Sequence, residues 1–211
     1  MKRKPKVAVF ASGSGSNFQV IVDAAHSGEL HAEIVAIVTD KPLALVVERA
    51  TKAGVSVVAL QPKEFPSKAD YEAAILTELT NLEVEWLVLA GYMRLIGNTL
   101  LSAFANRIVN IHPSLLPAFP GKDAIGQALA YGVKVTGVTV HYVDAGMDTG
   151  SIISQQAVEV VDGDLEKTEQ RIHAVEHELY TKTLQQLWSR GPLDVGHEGV
   201  AKFLGPAFCD E

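Results

Sequence analysis

The chain carries a single cysteine, Cys209, among its 211 residues. One thiol closes no internal disulfide and builds no cysteine-based metal cluster, so a reducing compartment is expected, and with it the cytoplasm. Long apolar runs are missing too: no segment approaches the roughly 20 apolar residues of a membrane-spanning helix. The basic start Lys2-Arg3-Lys4-Pro5-Lys6 imitates the head of a signal peptide. The apolar stretch behind it, Val7 to Ala11, is too short for a signal core and runs straight into Ser and Gly. Excess positive charge is also lacking. A formal net charge of −7 argues against a general nucleic-acid binder, though it leaves room for a local basic pocket around a small anion. No Pro-rich, Gly/Ser-rich or like-charge linker divides the chain, and no internal repeat is visible. One domain over residues 1–190 is therefore expected, with 191–211 as a packing segment or tail that shows no chemistry. At 47% apolar residues, the chain has enough material for a sizeable core.

What is present is an alternation of short apolar strands and helical patterns. Val7–Ala11 reads as a strand, and Phe18, Ile21, Val22 and Ala25 mark a helix closed by Gly28. Ile34–Val38 is a second strand, ending at Thr39-Asp40. Leu43–Ala53 is a helix stopped by Gly54, and Val55–Leu60 a third strand. A helix over Lys68–Leu82 precedes strands at Trp86–Ala90 and Arg107–Ile111. This order predicts an α/β fold: an open, mostly parallel, Rossmann-like sheet with helices on both faces. Val135–Val143 then alternates with period two and is followed by a turn-rich segment and Ser151–Val160, which predicts an antiparallel strand pair. A long helix from Leu165 to about Arg190 closes the domain.

Ligands of open sheets bind beyond the carboxyl ends of the strands. That rule singles out Ser12–Asn17, Tyr92–Arg94 and Asn110–Pro117. Ser12-Gly13-Ser14-Gly15-Ser16-Asn17 joins a strand to a helix, where free backbone N–H groups and the helix dipole welcome an anion such as phosphate. A plain helix N-cap is the competing reading, since Ser and Asn favour that position. Phe18 stands where a dinucleotide fingerprint needs its third glycine, which counts against a dehydrogenase. Asp40 reads as a helix cap ahead of a ribose ligand.

Asn110-Ile111-His112-Pro113 is the most informative stretch. Residues two apart on a strand share a face, so Asn110 and His112 project together, and Pro113 biases His112 toward extended geometry. A carboxamide beside an imidazole suits a developing oxyanion. Asp144-Ala145-Gly146-Met147-Asp148-Thr149-Gly150 offers two carboxylates in a segment where Asp is common for local turn reasons. One that reached His112 would orient the ring and favour its charged form. His141, His173 and His177 are expected to be structural or surface residues; the last two are spaced i, i+4 but lack a third metal ligand.

With these residues in place, the chain resembles the phosphoribosylglycinamide formyltransferases of purine biosynthesis that use 10-formyltetrahydrofolate. The likeness runs from Val7 to about Trp188. It is carried by Ser12–Asn17, Ala90-Gly91-Tyr92-Met93-Arg94, Asn110–Pro117 and Asp144–Gly150 in that order. The resemblance implies a catalytic trio of Asn110, His112 and Asp148. It implies that Gly15, Ser16 and Asn17 hold the substrate phosphate and that Glu176 contacts its ribose or glycinamide part. Met93, Arg94, Leu95 and Ile96, with Asn110, would line the folate site, and Lys68 would stand near the carrier's tail. It implies 10-formyltetrahydrofolate as formyl-donating co-substrate, phosphoribosylglycinamide as acceptor, and no required metal, nucleic acid or membrane. A homodimer is compatible with the sequence but not readable from it. Two departures stand out. Ser151 replaces the Pro common after Asp-Thr-Gly, which implies a more mobile loop. Lys122-Asp123 stands where many members carry His. The nearest alternatives are a formyl-folate hydrolase on the same domain and, from another class, a nucleotide-binding module without catalysis. A transferase for charged initiator tRNA would need a further basic domain.

Overall fold

The computed structural model describes residues 3–161 and 163–190. The expected packing segment 191–211, with Cys209, lies outside them. In chain order the elements are β1 (Lys6–Phe10), α1 (Ser16–Ser27), β2 (Glu33–Thr39), α2 (Leu45–Lys52), β3 (Ser56–Ala59), α3 (Lys68–Asn81) and β4 (Trp86–Leu89). Then follow α4 (Asn98–Ala103), β5 (Ile108–His112), α5 (Ala124–Tyr131), β6 (Val135–Tyr142), β7 (Ile152–Glu159) and α6 (Leu165–Arg190).

The seven strands form one sheet in the order β3-β2-β1-β4-β5-β6-β7. Strands β1 to β5 run parallel, while β6 is antiparallel to both β5 and β7. The expected mostly parallel sheet with an antiparallel pair near its C-terminal edge is what the chain forms.

Continuous apolar strands require cover on both faces, and the pleat of β1 shows how it is supplied. Val7 and Val9 point to one side, packing with Phe18 and Ile21 of α1, Val46 of α2 and Ile172 of α6. Ala8 and Phe10 point to the other, packing with Tyr71, Ile75 and Leu79 of α3 and Leu100 of α4. Each Val, Ile, Leu or Phe among them, withdrawn from water, contributes about 1.5–3 kcal/mol. Truncating Phe10, which is fully buried, to alanine would cost about 3–5 kcal/mol.

Two helices escaped the sequence reading. α4 has six residues, fewer than two turns, and α5 (AIGQALAY) is short and rich in small side chains, so neither shows much periodicity. Strand β6 stands where it was expected, but both its faces are covered. A period-two pattern usually marks a strand with one wet face, yet every residue but Val135 is buried.

Candidate active site

The sheet's winding direction reverses between β1 and β4: the chain builds outward through β2 and β3 on one side, then through β4 and β5 on the other. A cleft of about 570 Å³ opens beyond the carboxyl ends of these strands. It is lined by Gly13–Asn17, Tyr92–Ile96 and Asn110–Pro113, which overlap the three segments the crevice rule singled out, and by Asp148 and Glu176; Ser12 and residues 114–117 do not line it.

Gly15 is the N-cap of α1, at φ 73°, in the left-handed region. A β-carbon there would lie 2.5 Å from Val46 Cγ2, so close packing against α2 demands glycine as much as the turn does. Ser16 and Asn17 are not caps but the first residues inside the helix, and no side chain caps it. The N-cap is thus a glycine in place of the expected Ser or Asn, and no side chain takes the N–H groups of the first turn. Arg49 of α2 braces the loop from behind, its Nε donating to the Ser14 carbonyl at 2.9 Å.

Asn17 Nδ2 lies 3.4 Å from Glu176 Oε2, while Asn17 Oδ1 is buried without a hydrogen-bond partner. Glu176, 6% exposed, reaches this end of the cleft from α6. Burial pushes its carboxyl up from the ordinary value, opposed by His173 and by the Asn17 hydrogen bond. A buried carboxylate beside an unpaired amide oxygen forms an acceptor-rich corner suited to hydroxyl or amine hydrogens.

Beyond β4, Met93 and Leu95 are more than half exposed on the cleft wall, whereas Ile96 is buried. The Arg94 guanidinium sits 5.8 Å above the Tyr71 ring, and the Tyr71 and Tyr92 hydroxyls meet at 2.9 Å. Buried Glu72 accepts the Gly97 N–H at 2.6 Å, which fixes the far end of this segment. Lys68 does not line the cleft; it begins α3, with Nζ 3.9 Å from Glu72. Open apolar side chains beside a planar cation suit a flat, partly apolar ligand.

The three residues expected at the chemical centre converge. Asn110 and His112 share a face at the end of β5, and Asp148 reaches them from the segment between β6 and β7. His112 Nε2 donates to the Phe119 carbonyl at 2.9 Å, since a carbonyl only accepts. Its other nitrogen, Nδ1, is 3.5 Å from Asp148 Oδ2. The same carboxylate oxygen accepts the Gly121 N–H at 2.7 Å, so Asp148 also ties two loops together. Asp148 stands at φ 57°, and Gly150 packs so closely that any side chain there would overlap the Tyr142 carbonyl. Asp144, the other carboxylate, has the local turn role: it accepts from Gly146 N and Thr149 Oγ1.

His141 was expected to be structural or at the surface, and the fold gives it the structural place, beside Asn110. It is 2% exposed, directly opposite Asn110 in the β5–β6 register, with Nε2 3.1 Å from Asn110 Nδ2 and 3.7 Å from Asp148 Oδ1. Its Nδ1 donates to the Tyr142 carbonyl at 2.8 Å, and burial lowers its pKa. The neutral ring therefore carries its hydrogen on Nδ1 and accepts from Asn110 on Nε2. Asp40, expected to be a helix cap, needs correcting. The N-cap of α2 is Ala44, and Asp40 instead accepts the Ser12 hydroxyl. His173 is exposed and lines the cleft, and His177 is half-buried; among the described residues no group of three or more His, Cys, Asp or Glu is placed to hold a metal ion.

Residues 5–184 match the formyl transferase family. The phosphoribosylglycinamide formyltransferase of Bacillus subtilis is 55% identical over 183 residues, 86% of this chain and 94% of that protein. Among solved structures, glycinamide ribonucleotide transformylase 1 from Geobacillus kaustophilus is 59% identical, with a TM-score of 0.85 over 87% of this chain and 98% of that one. The enzyme of the same name from Symbiobacterium toebii is 42% identical, with a TM-score of 0.89 over 93% of each chain.

Proposed function

The chain belongs to the formyl transferase family, and from that premise we propose that it transfers the formyl group of 10-formyltetrahydrofolate to the amine of phosphoribosylglycinamide. The products are phosphoribosyl-N-formylglycinamide and tetrahydrofolate, a step of purine biosynthesis. The observation that carries the reading is the shared cleft: a helix start that no side chain caps, an open apolar wall and the Asn110–His112–Asp148 cluster all face one space.

The acceptor's phosphate sits on the N–H groups of Gly15, Ser16 and Asn17, and its hydroxyl or amine hydrogens meet Glu176. Folate lies against Met93, Arg94, Leu95 and Ile96, with its tail toward Lys68. Holding both substrates in one cleft supplies proximity. The amine nitrogen attacks the formyl carbon, a C–N bond forms, and the carbonyl oxygen becomes negative. Asn110 has given one Nδ2 hydrogen to His141, so the second is free for that oxygen. His112 has committed Nε2 to Phe119, so Nδ1 is its remaining donor, and it donates when the ring carries a second proton. Asp148, 3.5 Å from the same nitrogen, balances the imidazolium's charge while that hydrogen turns to the oxyanion. The adduct then collapses: the bond to the folate nitrogen breaks, and the proton lost by the attacking amine goes to that nitrogen through water held by Asp148. Losing one oxyanion donor of this kind costs roughly 3–4 kcal/mol of transition-state stabilisation.

The test is turnover of purified protein with 10-formyltetrahydrofolate, with and without phosphoribosylglycinamide. Formylated product that appears only with the acceptor supports the transferase. Formate released at the same rate with water alone would identify a hydrolase.

A further inference from the structure

Ser12 opens the loop assigned above to the acceptor phosphate, yet its side chain does not face a ligand. It is 2% exposed and lies where β1 and β4 run side by side, at the reversal of the sheet's winding. Its hydroxyl donates to Asp40 Oδ1 at 2.6 Å and accepts the N–H of Met93 at 3.0 Å. Its own N–H donates to the Gly91 carbonyl at 3.0 Å. A hydroxyl has one hydrogen, and giving it to the carboxylate leaves only lone pairs for Met93. Asp40 thus fixes the direction in which Ser12 accepts, and Ser12 fixes the first backbone N–H of Met93–Ile96. Buried Glu72 holds the other end of that segment at Gly97.

We propose that Ser12, aimed by Asp40, is a positioning residue for the formyl donor: it sits in the acceptor loop but sets the backbone of the donor wall. The inference rests on the assignment of the two loops given under the proposed function. It gives Ser12 a substrate opposite to that of Gly15, Ser16 and Asn17, its neighbours in the same loop.

The experiment is steady-state kinetics with each substrate varied in turn, on Ser12→Ala, Asp40→Ala and Asp40→Asn, with Asn17→Ala and Arg94→Ala as loop controls. Removing a buried hydrogen bond of this kind predicts a rise of about tenfold in the donor's KM for Ser12→Ala, with the acceptor's KM within about twofold of the parent. Asp40→Ala follows Ser12→Ala. Asp40→Asn keeps an acceptor oxygen and holds the donor's KM within about threefold. A purely structural role would lower the melting temperature without separating the two constants. An acceptor KM that rises as much as the donor's, or no change in either, overturns the inference. If Ser12→Ala fails to fold, the two Asp40 variants decide the question by the same split. Should Asn17→Ala and Arg94→Ala fail to separate acceptor from donor, the loop assignment falls first and takes the inference with it.

Discussion

Asn110 and His141 face each other across the β5–β6 ladder, with the carboxamide nitrogen 3.1 Å from the imidazole Nε2. Because His141 already donates Nδ1–H to the Tyr142 carbonyl, it can only accept from Asn110 while neutral, and burial keeps it so. The amide plane of Asn110 is therefore set by a residue that the proposed chemistry never touches. Stiffening one hydrogen of the amide group aims the other, which is the kind of preorganisation an oxyanion donor needs.

This coupling can be measured. His141→Phe should lower kcat about tenfold, the loss of one buried hydrogen bond. His141→Gln, which retains an acceptor oxygen and a donor, should recover part of that loss. In an Asn110→Ala background, His141→Phe should cost little more, because the side chain it aims is gone. Losses that multiply in the double variant would show that His141 acts independently of Asn110.

The chemical centre itself makes a simpler prediction. His112→Ala and Asp148→Ala should each lower kcat about 10²–10³-fold, the usual cost of removing a donor or its partner from such a site. Circular dichroism should show both variants folded, since the two apolar clusters that hold the sheet do not include either residue. Asp148→Ala also frees the Gly121 N–H, so its KM values should rise where those of His112→Ala do not. Turnover near that of the parent in both variants would remove the proposed mechanism.

Which of these relationships could be read before the fold was known depended on their range along the chain. The β1–loop–α1 unit, the Asn110/His112 pair and the closing helix α6 are local patterns: spacing within a dozen residues decides them, and they stand where they were expected. That Asn110 meets His141 is set by an antiparallel register between strands 31 residues apart, which no local pattern carries. Asp40 was misread for a similar reason, since its partner Ser12 is 28 residues away on a neighbouring strand end. Glu176, assigned only through the family resemblance, is buried because α6 packs against α1 and brings it beside Asn17.

The phosphate loop assignment separates the two substrates. Asn17→Ala removes a side chain at the start of α1, which no side chain caps, and with it a carboxamide bonded to Glu176. The acceptor's KM should rise about tenfold or more, and the donor's should stay within about twofold. Equal rises in both constants would place Asn17 in general packing rather than in acceptor recognition.

Glu176 sets stability and binding against each other, with a sign that can be worked out. Burial raises its folded-state pKa above the ordinary 4.5. Below that pH the carboxyl is protonated in both folded and unfolded chains, so it carries no ionisation penalty. As pH rises, the unfolded chain ionises first while the folded chain resists until its own higher pKa. The stability tied to the bound proton is lost through that window. Glu176→Gln stays neutral at every pH and escapes the loss. Its melting temperature should therefore exceed the parent's at about pH 7.5, with the gap closing as the pH falls below 4.5. The same substitution removes the negative charge offered to the acceptor, so its KM for phosphoribosylglycinamide should rise while the protein becomes harder to unfold. Such an opposition is expected where a buried charge is retained for ligand binding at the expense of the free fold. A variant less stable than the parent at about pH 7.5 would mean that His173 and Asn17 more than compensate the buried carboxylate, and that Glu176 serves the fold first.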